Sequence, residues 1–337
     1  MAANSGPGRS APPWRQVVKL GLTLVVLAGV ARHVARTRRD LLDRGLGLHL
    51  DYGWLLAAVG LYLLGLLAFG TYFWRVLGRG DSPVGFYPAV RAYLVSHLAK
   101  YVPGKAMVVV VRSALVAPDG ARAATSAFAT LYETLTMMAA GGLLAAGGFA
   151  ISARSATPGP GFRFAWPWDR ATTTEVPFVG LACLAGCGFL GLVWPTAFPR
   201  IATLIRKPLR GVGPDALPRV TVPLLAEGLA WAALGWILLG LSQVATIAGV
   251  GLALDRGAWP VVVASVALAT VAGFAVPVAP GGLGVREAVL WSSLATSLDR
   301  DWAVVAALVL RLAWVAGEVA VAAALYPIPP GSRRALG

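Results

Sequence analysis

Charge is scarce in this sequence, and acid is scarcest. Of 337 residues only 13% are charged, and 15 are acidic against 29 basic. A soluble chain normally carries about 25% charged residues. Fifteen carboxylates cannot clothe a water-exposed surface for 34.9 kDa, so an ordinary soluble enzyme is excluded. There are two cysteines, Cys183 and Cys187, four apart in an apolar stretch with no further zinc ligands nearby, and free, buried thiols are expected. The histidines, His33, His49 and His97, form no spaced cluster, and neither HExxH nor a Walker A motif occurs. No metal and no cofactor is therefore expected, and ATP is not expected to be used by this chain itself. The short alternating segments of a membrane β-barrel are missing as well.

Apolar residues make up 57% of the chain, with a mean hydropathy of +0.71, and they come in long blocks. Backbone in hydrocarbon must satisfy its own hydrogen bonds, so the expectation is an all-α, polytopic helical membrane protein. Residues 1–13, MAANSGPGRSAPP, are read as a disordered tail. Trp14–Val34 imitates a signal peptide, with Arg15 and Lys19 ahead of an apolar core, but the later spans make an uncleaved first helix the preferred reading. Further spans are expected at Tyr52–Trp74, Ala121–Ile151, Val176–Trp194, Val222–Leu254, Trp259–Ala279, Val285–Leu298 and Trp302–Tyr326. Eight membrane helices, within a range of seven to nine, then form one domain over residues 14–326, followed by a short tail at 327–337. Val222–Leu254 is too long for one untilted helix and is read as a tilted span with an extension or a partial re-entry. Gly141, Gly142, Gly147 and Gly148 suit close helix contact. Phe162, Phe164, Trp166 and Trp168 read as an interfacial anchor.

With alternating spans and the N-terminus inside, inside segments carry 18 basic residues and outside segments 10. This places both termini in the cytoplasm and the chain in the cytoplasmic membrane. Anionic lipid head groups, rather than nucleic acid, are the expected counter-charge.

Two segments do not read as plain spans. SHLAKYVPGKAMVVVVRSAL, residues 96–115, contains Pro103 and Gly104; VPVAPGGLGVREAVL, residues 276–290, contains Pro277, Pro280, Gly281, Gly282 and Gly284. Such runs break or re-enter rather than continue a helix. A restarted helix offers free N–H groups and a dipole that favour an anion. Lys100, Lys105, Arg112 and Arg286 add cationic donors at these points. Glu287 would be stabilised by the dipole and could orient Arg286. One break in each half of the chain is the pattern that points to transporter binding sites. Glu133, Glu227, Arg311 and Glu318 interrupt apolar blocks and should face the bundle or a water-filled cavity. Arg311 and Glu318, seven apart, share a helix face without touching.

KYVPGK followed by Arg112, the apolar segment with Glu133, and PGGLGVRE together resemble the flippase-like membrane domain of the lysylphosphatidylglycerol synthase family. The resemblance spans most of residues 15–326. It implies a domain associated with transbilayer movement of a modified phospholipid, in a superfamily also linked to isoprenoid and glycolipid pathways. The matching positions are Pro103, Gly104, Lys105, Arg112, Glu133, Pro280, Gly281, Gly282, Gly284 and Glu287. Bifunctional members continue into a soluble aminoacyl-transferring domain, whereas this sequence stops about eleven residues after Tyr326, so a stand-alone member is expected.

The expected function is that of a lipid translocase for an amphiphile with an anionic or phosphate-bearing head, not of an enzyme. Membrane lipids, anionic or isoprenoid-phosphate-linked, are the expected partners, with a lipid-modifying enzyme as a further one. Lys105, Arg112, Arg286, Gly104, Gly281, Gly282 and Gly284 would hold the head. Glu133 and Glu287 would orient the cations or carry protons. Two alternatives stand beside it. One is a membrane-embedded transferase acting on isoprenoid-linked substrates, for which Asp40 and Asp43 form a weak DLLD match. The other is a non-transporting assembly subunit of a lipid pathway.

Overall fold

The computed structural model describes residues 50–80, 84–101, 106–153, 161–166, 169–206, 213, 217–276 and 284–326, with the backbone alone at 106 and 161–176. The expected tails and the expected span Trp14–Val34 lie outside them. Among the described residues the fold is all-helical apart from one strand pair. Its elements are α1 (Tyr52–Leu77), α2 (Phe86–Ser96), α3 (Ala106–Val116), α4 (Ala123–Ala153), β1 (Gly161–Trp166), β2 (Asp169–Pro177), α5 (Phe178–Val193), α6 (Phe198–Arg206), α7 (Val222–Gly249), α8 (Trp259–Ala275), α9 (Val285–Leu294) and α10 (Arg300–Leu325).

Among the described residues five helices are long and apolar enough to cross a membrane: α1, α4, α7, α8 with its preceding turn, and α10. They become six if α5 and α6, bent by 69°, form one broken span. The expected spans at Tyr52, Ala121, Val222, Trp259 and Trp302 thus correspond to helices of crossing length. The segment expected from Val285 is a helix of only 10 residues, about 15 Å long and too short to cross alone. Val222–Leu254 is one 28-residue helix and a turn. It stops at Gly249 because Gly251, at φ 84°, takes the left-handed conformation that ends helices.

Local chemistry sets the helix ends. The Asp51 carboxylate caps α1 by accepting from the Gly53 and Trp54 amides at 2.8 and 3.3 Å. Thr221 caps α7, accepting from Leu224 at 3.4 Å. Gly161–Trp166 and Asp169–Pro177, around the expected aromatic anchor, pair as antiparallel strands with an irregularity between Ala165 and Trp166.

Helix faces meet through small residues. Gly228 and Gly235 of α7 receive the Tyr72 and Phe69 rings of α1, and Gly141 of α4 receives the Trp236 ring. Trp236 Nε1 donates to the Met137 carbonyl at 2.8 Å, tying α7 to α4. Apolar side chains such as Leu56, Leu64, Leu184 and Leu234 point outward. Cys183 and Cys187 are free as expected, but exposed rather than buried. Each lies one residue beyond Ala182 or Gly186, which pack on α4, and so is turned about 100° away from that contact.

The α4–α5 contact is nearly backbone to backbone. A Cβ on Gly142 would stand 2.5 Å from the Gly186 main chain, whereas one on Gly147 would meet nothing within 4 Å. Gly142→Val is therefore expected to destabilise the fold by about 1–3 kcal/mol and to lower the melting temperature in detergent. Gly147→Val should leave it nearly unchanged. Equal melting of the two variants would contradict this packing.

Candidate functional site

Two half-length helices bring polar side chains into the bundle. Helix α2 has 11 residues, about 16 Å against a hydrocarbon thickness of about 30 Å. It runs back along α1, with the Tyr93 ring against Gly70 and 6.1 Å from Phe73. A 3-10 turn, His97–Tyr101, follows. From it the Lys100 ammonium reaches the hydroxyl of Tyr62, the eleventh residue of the 26-residue α1, at 3.3 Å. The turn therefore lies deep in the bundle rather than at its edge. Helix α3, also of 11 residues, packs on α2 and α4.

Pro103, Gly104, Lys105, Pro277, Pro280, Gly281 and Gly282 lie outside the described residues. On either side of them the described helical structure stops at Tyr101 and Ala275 and begins again at Ala106 and Val285. Gly284, at φ 87°, opens α9 in a conformation that side-chain-bearing residues rarely adopt. The Glu287 carboxylate accepts from the Gly284 amide at 2.7 Å, as expected for an acid in a first helical turn.

Arg112 and Glu133 meet inside the bundle. Their side chains are each 2% exposed and pair at 3.3 Å. Arg112 Nε also donates to Ser96 Oγ at 3.0 Å, and its guanidinium lies 4.0 Å from the Tyr93 ring centre. The Glu133 carboxylate accepts from Tyr93 Oη at 3.3 Å and Thr134 Oγ1 at 3.2 Å. Each charge thus has an opposite charge and neutral partners, the condition under which a buried pair is tolerated.

A second cluster centres on Glu318. Its side chain is fully buried, and its Oε1 accepts from Lys100 at 2.5 Å and from Tyr62. His97 Nε2 stands 3.9 Å from the same oxygen. The Tyr62 ring stacks on Trp314 at 4.3 Å, and Trp314 Nε1 donates to Ser242 Oγ at 2.9 Å. Ser242 in turn donates to the Ala58 carbonyl at 2.7 Å. One hydroxyl so ties α1, α7 and α10 together.

Arg286 lies beside this cluster, its guanidinium 4.7 Å from the centre of the Trp314 ring, a cation–π contact. Among the described residues no carboxylate forms an ion pair with it. Glu287 pairs instead with Arg311 of α10. Among the described residues the structure therefore brings Arg112 to Glu133, and Glu287 to Gly284 and Arg311, with no ion pair between the two groups or between the Arg286 and Glu287 side chains. His97 is the link. Its ring stacks 6.0 Å from Tyr93 and lies within electrostatic reach of Lys100, Arg112 and Arg286.

Of the charges that interrupt apolar blocks, Glu133, Arg311 and Glu318 are buried. Glu227, near the start of α7, is 27% exposed and pairs with Arg75 at 2.6 Å. Sequence reasoning passed over Tyr62, His97, Ser242 and Trp314 as site residues. Aromatic and hydroxyl residues are ordinary in spans, and nothing in their spacing sets these four apart. The signal that did exist was the pair of charges, Lys100 at a break and Glu318 in an apolar block.

The family model described as the lysylphosphatidylglycerol synthase TM region matches residues 16–322 of this chain. No individual curated protein matches it.

Proposed function

The chain belongs to the lysylphosphatidylglycerol synthase transmembrane family, and on that premise we propose that it is a translocase for a lipid with an anionic or phosphate-bearing head. It is a multi-pass membrane protein, and its family relates it to the handling of membrane phospholipid. The finer reading rests on one observation. Arg286, the second residue of α9, is partly buried, with an aromatic face and no carboxylate partner among the described residues. Around it Lys100, Arg112 and Arg311 each carry one carboxylate. The four cations thus exceed the three carboxylates by one, a surplus suited to a single anionic head.

In this reading the head group is held by Arg286, Arg112 and Lys105, with the chain at Gly104, Gly281, Gly282 and Gly284 approaching it closely. Glu133 and Glu287 orient the cations. The membrane domain spans residues 14–326 between tails at 1–13 and 327–337. It sits in the cytoplasmic membrane with both termini inside, and it works beside an enzyme that modifies the lipid. No step of catalysis is assigned to it.

The test uses the purified chain in phosphatidylcholine vesicles containing a trace of head-group-labelled phosphatidylglycerol or labelled isoprenyl phosphate. A membrane-impermeant quencher should reach the inner-leaflet label of at least one anionic probe, and reach it faster than in protein-free vesicles. Labelled phosphatidylcholine should move more slowly. Movement of neither anionic probe, or equal movement of the neutral one, would refute the reading.

A further inference from the structure

We propose that Glu318 is a proton-binding site coupled to the lipid anion: the arriving head group takes Lys100 from Glu318, and Glu318 takes up a proton in exchange. This rests on the lipid-carrier reading and adds to it a co-transported species. Three observations carry it. First, the two ends of the ion pair differ in access, because the Lys100 side chain is 21% exposed while that of Glu318 is fully buried. An anion can reach the cation, while the carboxylate stays out of contact with water until the pair parts. Second, Glu318 Oε2 is buried with no hydrogen-bond partner, while Oε1 receives Lys100 and Tyr62. One oxygen of the carboxylate thus has unused acceptor capacity on which a proton can sit. Third, among the described residues the groups that face Glu318 include no second carboxylate to take the proton in its place, and the remaining cations, Arg286 and Arg311, are not hydrogen-bonded to it. The facing groups are Tyr62 on α1, His97, Lys100 and Tyr101 on the 3-10 turn, Arg286 on α9, and Arg311 on the same helix. On α7 the uncharged Ser242 accepts from Trp314, which lies one helical turn before Glu318.

Physical chemistry then dictates the exchange. A buried carboxylate is tolerated while a cation is bonded to it and becomes costly once that cation turns elsewhere. A phosphate between Arg286 and Lys100 diverts the Lys100 ammonium. Glu318 is left ionised in a dry site and accepts one proton from water on Oε2, keeping the Tyr62 hydroxyl on Oε1. The net event is one lipid anion and one proton bound together, with no bond other than O–H formed. When the head group leaves, the ammonium returns to Glu318 and the proton is released. The pair is then an internal placeholder for the head group, and the proton gradient becomes a driving force for its movement.

The experiment is titration calorimetry of the full chain in detergent with a water-soluble, short-chain phosphatidylglycerol. Titrations are run in two buffers of different ionisation enthalpy and repeated over pH. The wild type should take up about one proton per lipid, so its Kd should rise about tenfold per pH unit wherever the free protein keeps Glu318 ionised. Glu318→Gln should bind with no proton uptake and no such slope. Lys100→Gln, which leaves Glu318 without its cation before lipid arrives, should also show no uptake. It tests the same point should Glu318→Gln fail to fold. Binding by the wild type without proton uptake overturns the coupling while leaving the lipid reading intact. Uptake that persists in Glu318→Gln overturns the assignment to this residue. Absence of binding by the wild type overturns the lipid reading and the coupling with it.

Discussion

Replacing Arg286 with glutamine is expected to slow the movement of labelled phosphatidylglycerol at least about tenfold while leaving the folded yield intact. Arg286 holds no ion pair among the described residues, so its removal strands no carboxylate there. Glutamine retains a polar donor and stays near the Trp314 ring. What disappears is the charge, and with it the one-unit cation surplus that suits an anionic head. Charge-assisted hydrogen bonds are roughly twice as strong as neutral ones. Arg286→Lys keeps the charge but loses the planar fork and the flat contact with Trp314, and should fall between the two. Transport at the wild-type rate by well-folded Arg286→Gln protein would remove Arg286 from the binding role.

Glu133→Gln should behave in the opposite way, with the loss falling on the fold. Arg112 and Glu133 are both almost fully buried, and taking away one partner leaves a charge without compensation, at a cost of about 3–5 kcal/mol. Thermal unfolding in detergent should show the drop, together with a lower yield of monodisperse protein. The double variant Arg112→Leu/Glu133→Leu removes both charges and should recover much of that stability, because a sealed pair can be exchanged for packed apolar groups. It also separates two roles. A stable double variant that no longer moves lipid assigns head-group contact to Arg112. One that moves lipid normally makes the pair a strut that holds α3 to α4.

The spans were legible because hydrophobic blocks of crossing length admit few other structures. Tyr52–Leu77, Ala123–Ala153 and Arg300–Leu325 begin and end within two or three residues of their sequence-based limits. Packing was legible in part. Three of the four glycines singled out in α4 do take close contacts, and Gly147 faces open space. The short helices α2, α3 and α6 were not legible, since a half-length helix carries too few apolar residues to stand out from its flanks. Nor were the partners of the charges. Arg311 pairs with Glu287, 24 residues away, and Lys100 with Glu318, 218 residues away. Periodicity describes one helix at a time, whereas these bonds depend on which helices become neighbours.

The separation between Lys100 and Glu318 bears on how the molecule is made. Lys100 leaves the ribosome long before Glu318, which lies on the last of the described helices. During that interval the Lys100 ammonium lacks the carboxylate that it pairs with in the folded bundle. The Lys100–Glu318 bond is therefore expected to be among the last to form in the bundle, after Arg112 of α3 has met Glu133 of α4.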